Sequence, residues 1–228
     1  MERRIVRFIT FHRDTAVDNP SIWWQNIIVL IFRPKIQKNP APNHRFIFFE
    51  KEKMMQQGLI IVMTGDGKGK TTAALGTTLR AAGQGLKVLF IQFMKGQPQI
   101  GELKALSMCN LPITVKQFGR PGFVQSRACE PLDIHLAYQG LDAWSRAMEN
   151  EGYDLIVLDE INVAVNFGLL KMEDVMDILH KKPPELHLIL TGRNATAPLL
   201  ELADLVTEMN NVKHPFDGGS KAQKGIEY

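Results

Sequence analysis

From Gly58 onward the chain alternates short apolar runs with stretches of helical spacing. Ile60-Ile61-Val62-Met63 is a β-branched run that predicts a strand, and the small residues after Lys70-Thr71-Thr72 predict a helix over 70–82, ended by Gly83 and Gly85. Further strands are predicted over 86–93, 113–118, 154–160, 186–191 and 204–209. Helices are predicted between them over 102–108, 131–150, 171–181 and 198–203. The helix over 131–150 has the clearest period: Pro131 suits a first turn, and Ile134, Ala137, Leu141, Trp144 and Met148 keep helical spacing. Strands that alternate with helices pair in parallel, so the expected fold class is α/β, a doubly wound, mostly parallel sheet flanked by helices.

Residues 1–57 break this pattern. They carry Trp23, Trp24 and four prolines among apolar clusters that hold no period of 3.6 or 2. The longest apolar run, 27–32, is far shorter than the roughly 20 residues that span a bilayer. A signal peptide also fits poorly, since polar and acidic residues interrupt 5–26. Met54 and Met55 stand just before the first convincing strand. The expected organisation is therefore an atypical extension over 1–57, outside the functional protein, and one main domain over 58–228. N-terminal sequencing of the native protein tests this, and a mature chain beginning near Met1 would refute it. The competing reading is a docking or substrate-covering segment.

Charge supports the division. The chain has 27 Lys+Arg and 24 Asp+Glu; residues 1–57 hold 10 and 5 of them, which leaves 17 basic against 19 acidic residues for the rest. The basic excess thus sits in the extension, and nothing in the main domain argues for nucleic acid. Two cysteines, Cys109 and Cys129, are too few for a disulfide framework or a zinc site and read as buried or incidental thiols. That usage fits a reducing cytoplasm.

The chemistry is expected where strands end, because ligands of an open parallel sheet collect at the carboxyl ends of its strands. After the first strand comes Gly65-Asp66-Gly67-Lys68-Gly69-Lys70-Thr71-Thr72. Glycines let a backbone close on an anion, the following helix start adds positive potential, Lys70 supplies a mobile charge, and the Thr71 hydroxyl is a hard oxygen for Mg²⁺. This is a phosphate cradle, and it places the fold among P-loop NTPase-like (RecA-like) sheets. The usual pattern has glycine six residues before the lysine, where Thr64 stands here.

Asp159-Glu160 closes another strand, and a carboxylate there can hold Mg²⁺, directly or through water, opposite Thr71. Arg193 follows a further strand, within reach of phosphate. Gln92 to Lys95 and Gly119 to Phe123 form two more strand-end loops. Lys213, His214 and Lys221 lie in a Gly-rich tail that could fold back. His187, inside a strand, reads as structural. No N-K-x-D motif marks a GTPase, and no interleaved aromatic and basic residues mark a single-strand platform.

Taken together, Thr64 to Thr72, Phe118-Gly-Arg-Pro-Gly-Phe123, Val157-Leu-Asp-Glu160, Thr191-Gly-Arg-Asn194, Glu201 to Glu208, Lys213-His-Pro-Phe-Asp217 and Lys224 to Tyr228 resemble the bacterial ATP:corrinoid adenosyltransferases. Thr64 in the cradle is characteristic of that family. The resemblance covers about 57–228. It implies a transferase in which cobalt(I) of a corrinoid attacks the 5′ carbon of ATP and releases triphosphate, in adenosylcobalamin biosynthesis or salvage. It also implies Lys70, Thr71 and Glu160 as catalytic residues, Mg²⁺ on Thr71 with Asp159 or Glu160, and Phe118 and Phe123 near the corrinoid. A flavodoxin-like electron donor, a homodimer and a cytoplasmic location are implied as well. Two rivals share the cradle: a kinase or ATPase, and a nucleotide-sensing regulator without turnover.

Overall fold

The computed structural model of the chain describes residues 57–97, 100–121, 130–219 and 221–226. In chain order they form β1 (Ile60–Thr64), α1 (Lys70–Gly83), β2 (Val88–Phe93), α2 (Gly101–Met108), β3 (Ile113–Phe118), α3 (Pro131–Asn150), β4 (Leu155–Asp159), α4 (Ile161–Asn166), α5 (Met172–Leu179), β5 (His187–Thr191), α6 (Ala197–Leu202) and β6 (Leu205–Glu208). All of them lie within one unit, Lys51–Tyr228.

The strands form one six-stranded sheet in the order β3-β2-β4-β5-β1-β6, and every neighbouring pair is parallel. The fold is thus the expected P-loop NTPase-like α/β type. Alternate side chains of each strand serve opposite faces. Val88, Phe90, Val157 and Ile189 pack with Ala74 and Ala82 of α1 on one face. On the other face, Leu89, Ile91, Phe93, Ile156 and Leu158 pack under α3 to α6, where Trp144 is fully buried. This explains why the inner strands read as continuous apolar runs rather than as alternating ones.

The strand order also places the site. From β1 the chain crosses toward β2 on one side, whereas the crossovers from β4 and β5 run the opposite way. With right-handed crossovers this puts α1 on one face and α3 to α6 on the other, and opens a crevice at the carboxyl ends of β1, β5 and β4.

One element is not among those expected. The run Ile161-Asn162-Val163-Ala164-Val165 has the β-branched composition of a strand, yet it folds as α4 directly after β4. Glu160 makes the turn with φ 64°, and the Ala164 N–H bonds the Glu160 carbonyl. Tertiary packing overrides propensity here, because Ile161 and Ala164 are buried under the sheet. Cys109 is exposed, so it is incidental rather than buried, and Cys129 lies outside the described residues.

Candidate active site

The loop between β1 and α1 curls over the carboxyl end of the sheet, and its glycines answer to a neighbour. Gly65 and Gly69 have φ 90° and 116°, in the left-handed region. A Cβ on Gly65 would run into the Met209 backbone, and one on Gly67 would lie 2.7 Å from the carbonyl oxygens of both Met209 and Asn210. The segment after β6 therefore packs directly on the cradle. The Gly67 N–H donates to the Met209 carbonyl at 2.6 Å and so is not aimed at a phosphate. Farther along, Lys68 Nζ donates to the Ile226 carbonyl at 2.8 Å.

Thr64 has a structural task of its own. Its Oγ1 accepts the Ala195 N–H at 3.2 Å and its carbonyl accepts the Met209 N–H at 2.9 Å, which ties the cradle to the loops after β5 and β6. A glycine at this position would lose the first of these ties.

These packing distances yield an expected result. Gly67→Ala must displace 209–210 or the cradle, at about 1–3 kcal/mol for an over-packed site. Thermal melting and ATP titration should show lowered stability together with at least about tenfold weaker ATP binding, as misplaced amides and lysine lose their geometry. Wild-type values for both would contradict the packing argument.

Lys70 is buried at 7% exposure, and its Nζ donates to the carbonyls of Gly65 and Gly67 at 2.6 Å each. Burial lowers its pKa, partly offset by Glu160. The ammonium thus sits inside its own loop, ready for an anion that replaces the carbonyls.

Beneath the cradle lies a buried carboxylate with a full set of donors. Asp159 is fully buried, and its Oδ1 accepts the hydroxyls of Thr71 at 2.9 Å and Thr191 at 2.8 Å. Its Oδ2 accepts Lys95 Nζ at 2.8 Å and Gln92 Nε2 at 3.4 Å, and Gln92 is itself held by Gln117. Glu160 is different. Its N–H bonds Thr191 Oγ1, and the residue lines the open cleft, which Asp159 does not. Burial first, and then the neighbouring Asp159 charge, raise the Glu160 pKa.

The cleft has a volume of about 1340 Å³. Its floor is the cradle from Asp66 to Thr72, one wall holds Lys95 and Glu102, and another holds Val163, Asn166 and Phe167 of α4 and its end. Arg193, Asn194, His214 and Ile226 close the rim. Lys213 and Lys221 are exposed and do not line it. Arg193 Nε is 4.0 Å from Asp66 Oδ1 with both side chains more than half exposed. Such a pair is worth about 0–1 kcal/mol, too little to keep Arg193 from a phosphate.

Phe118 at the end of β3 is half-buried against the core, close to Gly140 of α3, and does not line the cleft. Phe123 lies outside the described residues. The flanks of that stretch are pinned together: Arg120 makes two hydrogen bonds to Asp133 at 2.7 Å and one to Glu130 at 2.8 Å. The Arg120 bonds hold the Asp133 carboxyl below the ordinary range. His187 accepts the Leu59 N–H on Nδ1, in keeping with a structural role.

The sequence pattern places Lys95 in the strand-end loop Gln92 to Lys95 without giving it a role, and it does not mark α4 as part of the site. Lys95 had a signal, since it stands two residues past β2 at the carboxyl end. The α4 wall had none, because its composition imitates a strand.

A family model described as ATP:corrinoid adenosyltransferase BtuR/CobO/CobP matches residues 56–228. The chain is 39% identical over 173 residues to the corrinoid adenosyltransferase of Escherichia coli strain K12, covering 76% of this chain and 87% of that protein. The corrinoid adenosyltransferase CobA of Salmonella typhimurium gives the same identity and coverage. A corrinoid adenosyltransferase of Sinorhizobium sp is 37% identical over 195 residues, covering 78% of this chain and 86% of that protein.

Proposed function

The chain belongs to the ATP:corrinoid adenosyltransferase family, and from that premise we propose how its own residues carry the transfer. The protein is a transferase that moves the 5′-deoxyadenosyl group of ATP to the cobalt of a corrinoid and releases triphosphate. The corrinoid cobalt(I) supplies the electron pair for the new Co–C bond, so the protein needs no nucleophile of its own. As the C5′–O bond breaks, its pair passes to the triphosphate oxygen. The task left to the protein is to position ATP and to stabilise the charge that grows on the leaving group.

The observation that carries this reading is the buried Lys70 between Gly65 and Gly67, at the floor of a cleft of about 1340 Å³. Lys70 leaves its carbonyls for the triphosphate, with Asp66, Lys68, Gly69 and Thr72 around it and Arg193 at the rim. Gly65 and Gly67 act by leaving room for 209–210.

Mg²⁺ fits the oxygens present. The Thr71 hydroxyl is turned by its bond to Asp159, which leaves its lone pairs for a cation, and Glu160 offers a carboxylate to the cleft. Thr71 and Glu160 would hold the ion, with Asp159 behind Thr71 as the group that orients it; the bound ion would offset phosphate charge. Among the described residues no cluster of three or more His, Cys, Asp and Glu forms a competing site.

Phe123 is assigned to the corrinoid face, and the Arg120 bonds to Glu130 and Asp133 tie together the described residues on either side of its stretch. Residues 58–228 are the catalytic domain, working as a cytoplasmic homodimer with a flavodoxin-like donor for the cobalt. Among the described residues no helix is long and apolar enough to cross a membrane.

Anaerobic incubation with ATP, Mg²⁺ and chemically reduced cobalamin tests the proposal, together with variants of the cleft residues. The expected products are a light-sensitive adenosylated corrinoid and triphosphate, and ADP in their place would support a kinase or ATPase. For Glu160 the pKa direction adds a stability test. A carboxyl whose pKa is raised on folding binds more protons folded than unfolded, so its ionisation costs stability as pH rises above the ordinary value of 4.5. Glu160→Gln should therefore melt higher than wild type near neutral pH, with the gap closing as pH falls toward that value, while Mg²⁺-dependent turnover drops. A gap that widened on acidification would contradict the assignment.

A further inference from the structure

We propose that Lys95 is a second lysine of the triphosphate site, parked on Asp159 until the anion enters and then bridging that carboxylate and a phosphate oxygen. The inference rests on the adenosyltransferase reading and goes beyond it, since nothing in the cradle pattern points to this residue.

Four observations carry it. Lys95 Nζ lies 2.8 Å from Asp159 Oδ2, and the other oxygen of the same carboxylate holds Thr71 at the start of α1. The ammonium is thus one carboxylate away from the cradle. Second, its side chain keeps 29% exposure and lines the cleft, whereas Asp159 is closed off beneath it. Third, an ammonium has three N–H donors, and among the described residues Asp159 is the one acceptor that Lys95 meets. Two donors remain on the cleft side of a bond that already fixes the third. Lys70, by contrast, has two loop carbonyls to leave.

The fourth is charge balance. Lys68, Lys70, Lys95 and Arg193 line the cleft with Asp66, Glu102 and Glu160, and Asp159 lies just beneath. Without Lys95 the acidic side chains named here would outnumber the basic ones, four to three. In the transfer itself the C5′–O electron pair ends on that triphosphate, so a cation already fixed by Asp159 stabilises the charge with little reorganisation.

A purely structural lysine would serve only to neutralise Asp159, and the test separates the two roles. Inorganic tripolyphosphate is titrated in EDTA against wild type, Lys95→Met, Lys95→Arg, Asp159→Asn and the double variant Lys95→Met with Asp159→Asn, with melting temperatures measured on each. Once Asp159→Asn is in place there is no buried carboxylate left to neutralise. If Lys95 meets phosphate, Lys95→Met still weakens tripolyphosphate binding at least tenfold when added to Asp159→Asn, Lys95→Arg holds it within a few fold of wild type, and adenosine binding stays unchanged throughout. A screened charge acting at a distance changes affinity by only about two- to threefold. A loss that small between Asp159→Asn and the double variant would overturn the proposal, as would equal binding by wild type and Lys95→Met. The adenosyltransferase reading is checked apart from this, by product formation with the wild-type protein.

Discussion

Lys70→Ala is expected to lower kcat/KM for adenosyl transfer by at least roughly 10²–10³-fold, the scale on which one pre-positioned donor to a developing negative charge acts. The lysine sits with its Nζ 2.6 Å from the carbonyls of Gly65 and Gly67, so its position is fixed before substrate arrives. The leaving triphosphate gains charge in the transition state, and the loss should therefore appear in kcat as well as in KM. Stability should move the other way. Burial holds the Lys70 pKa below the ordinary lysine value, so the folded protein is destabilised by keeping this group charged near neutral pH. Lys70→Met, which keeps the stem and removes the charge, should melt at or above the wild-type temperature while remaining inactive. Anaerobic turnover and thermal melting of the two variants check both halves. A variant that retained turnover would remove the cradle lysine from the mechanism, and a sharp fall in melting temperature would mean that its bonds hold the loop together.

What the sequence displayed about this fold follows from what each element answers to. Strands β1, β2, β4 and β5 are buried on both faces, so their composition is set by one requirement and reads plainly. The helix α3 is legible through its period instead: Ala137, Leu141 and Trp144 lie on its buried side as expected, whereas Ile134 is exposed. The cradle was legible as a motif, but the reason for its glycines was not. Gly65 and Gly67 answer to Met209 and Asn210, far along the chain, and such a contact leaves no local trace. Likewise the Thr64 hydroxyl answers to Ala195. Helix α4 is the opposite case, a locally strand-like run held helical by the left-handed turn at Glu160 and by burial of Ile161 and Ala164. The αL turn costs of order 1–3 kcal/mol and sits at the candidate metal carboxylate, where surrounding bonds over-determine it. As for the two carboxylates, Asp159 and Glu160 are indistinguishable in the sequence; only the donors around Asp159 show that one faces inward and the other faces the cleft.

That inward carboxylate sets the second large effect. Asp159→Ala removes the shared acceptor of Thr71, Thr191, Lys95 and Gln92 at once. Breaking a buried ion pair from one side costs about 3–5 kcal/mol, because the remaining charge and donors lose their compensation. Lys95 can recover part of this by turning into the cleft, where it is already 29% exposed, so the lower end of that range is expected. For a domain of this size each kcal/mol is worth about 2–4 °C, which puts the fall in melting temperature at roughly 6–12 °C. Turnover should be lost as well, since Thr71 and Lys95 are both positioned by this group. The double variant with Lys95→Met removes the uncompensated ammonium too and should recover several degrees without recovering turnover. If Asp159→Ala melted within about a degree of wild type, the four-donor arrangement would not be a structural support of the site. If the double variant melted lower still, the cost would lie with the hydroxyls of Thr71 and Thr191 rather than with the buried charge.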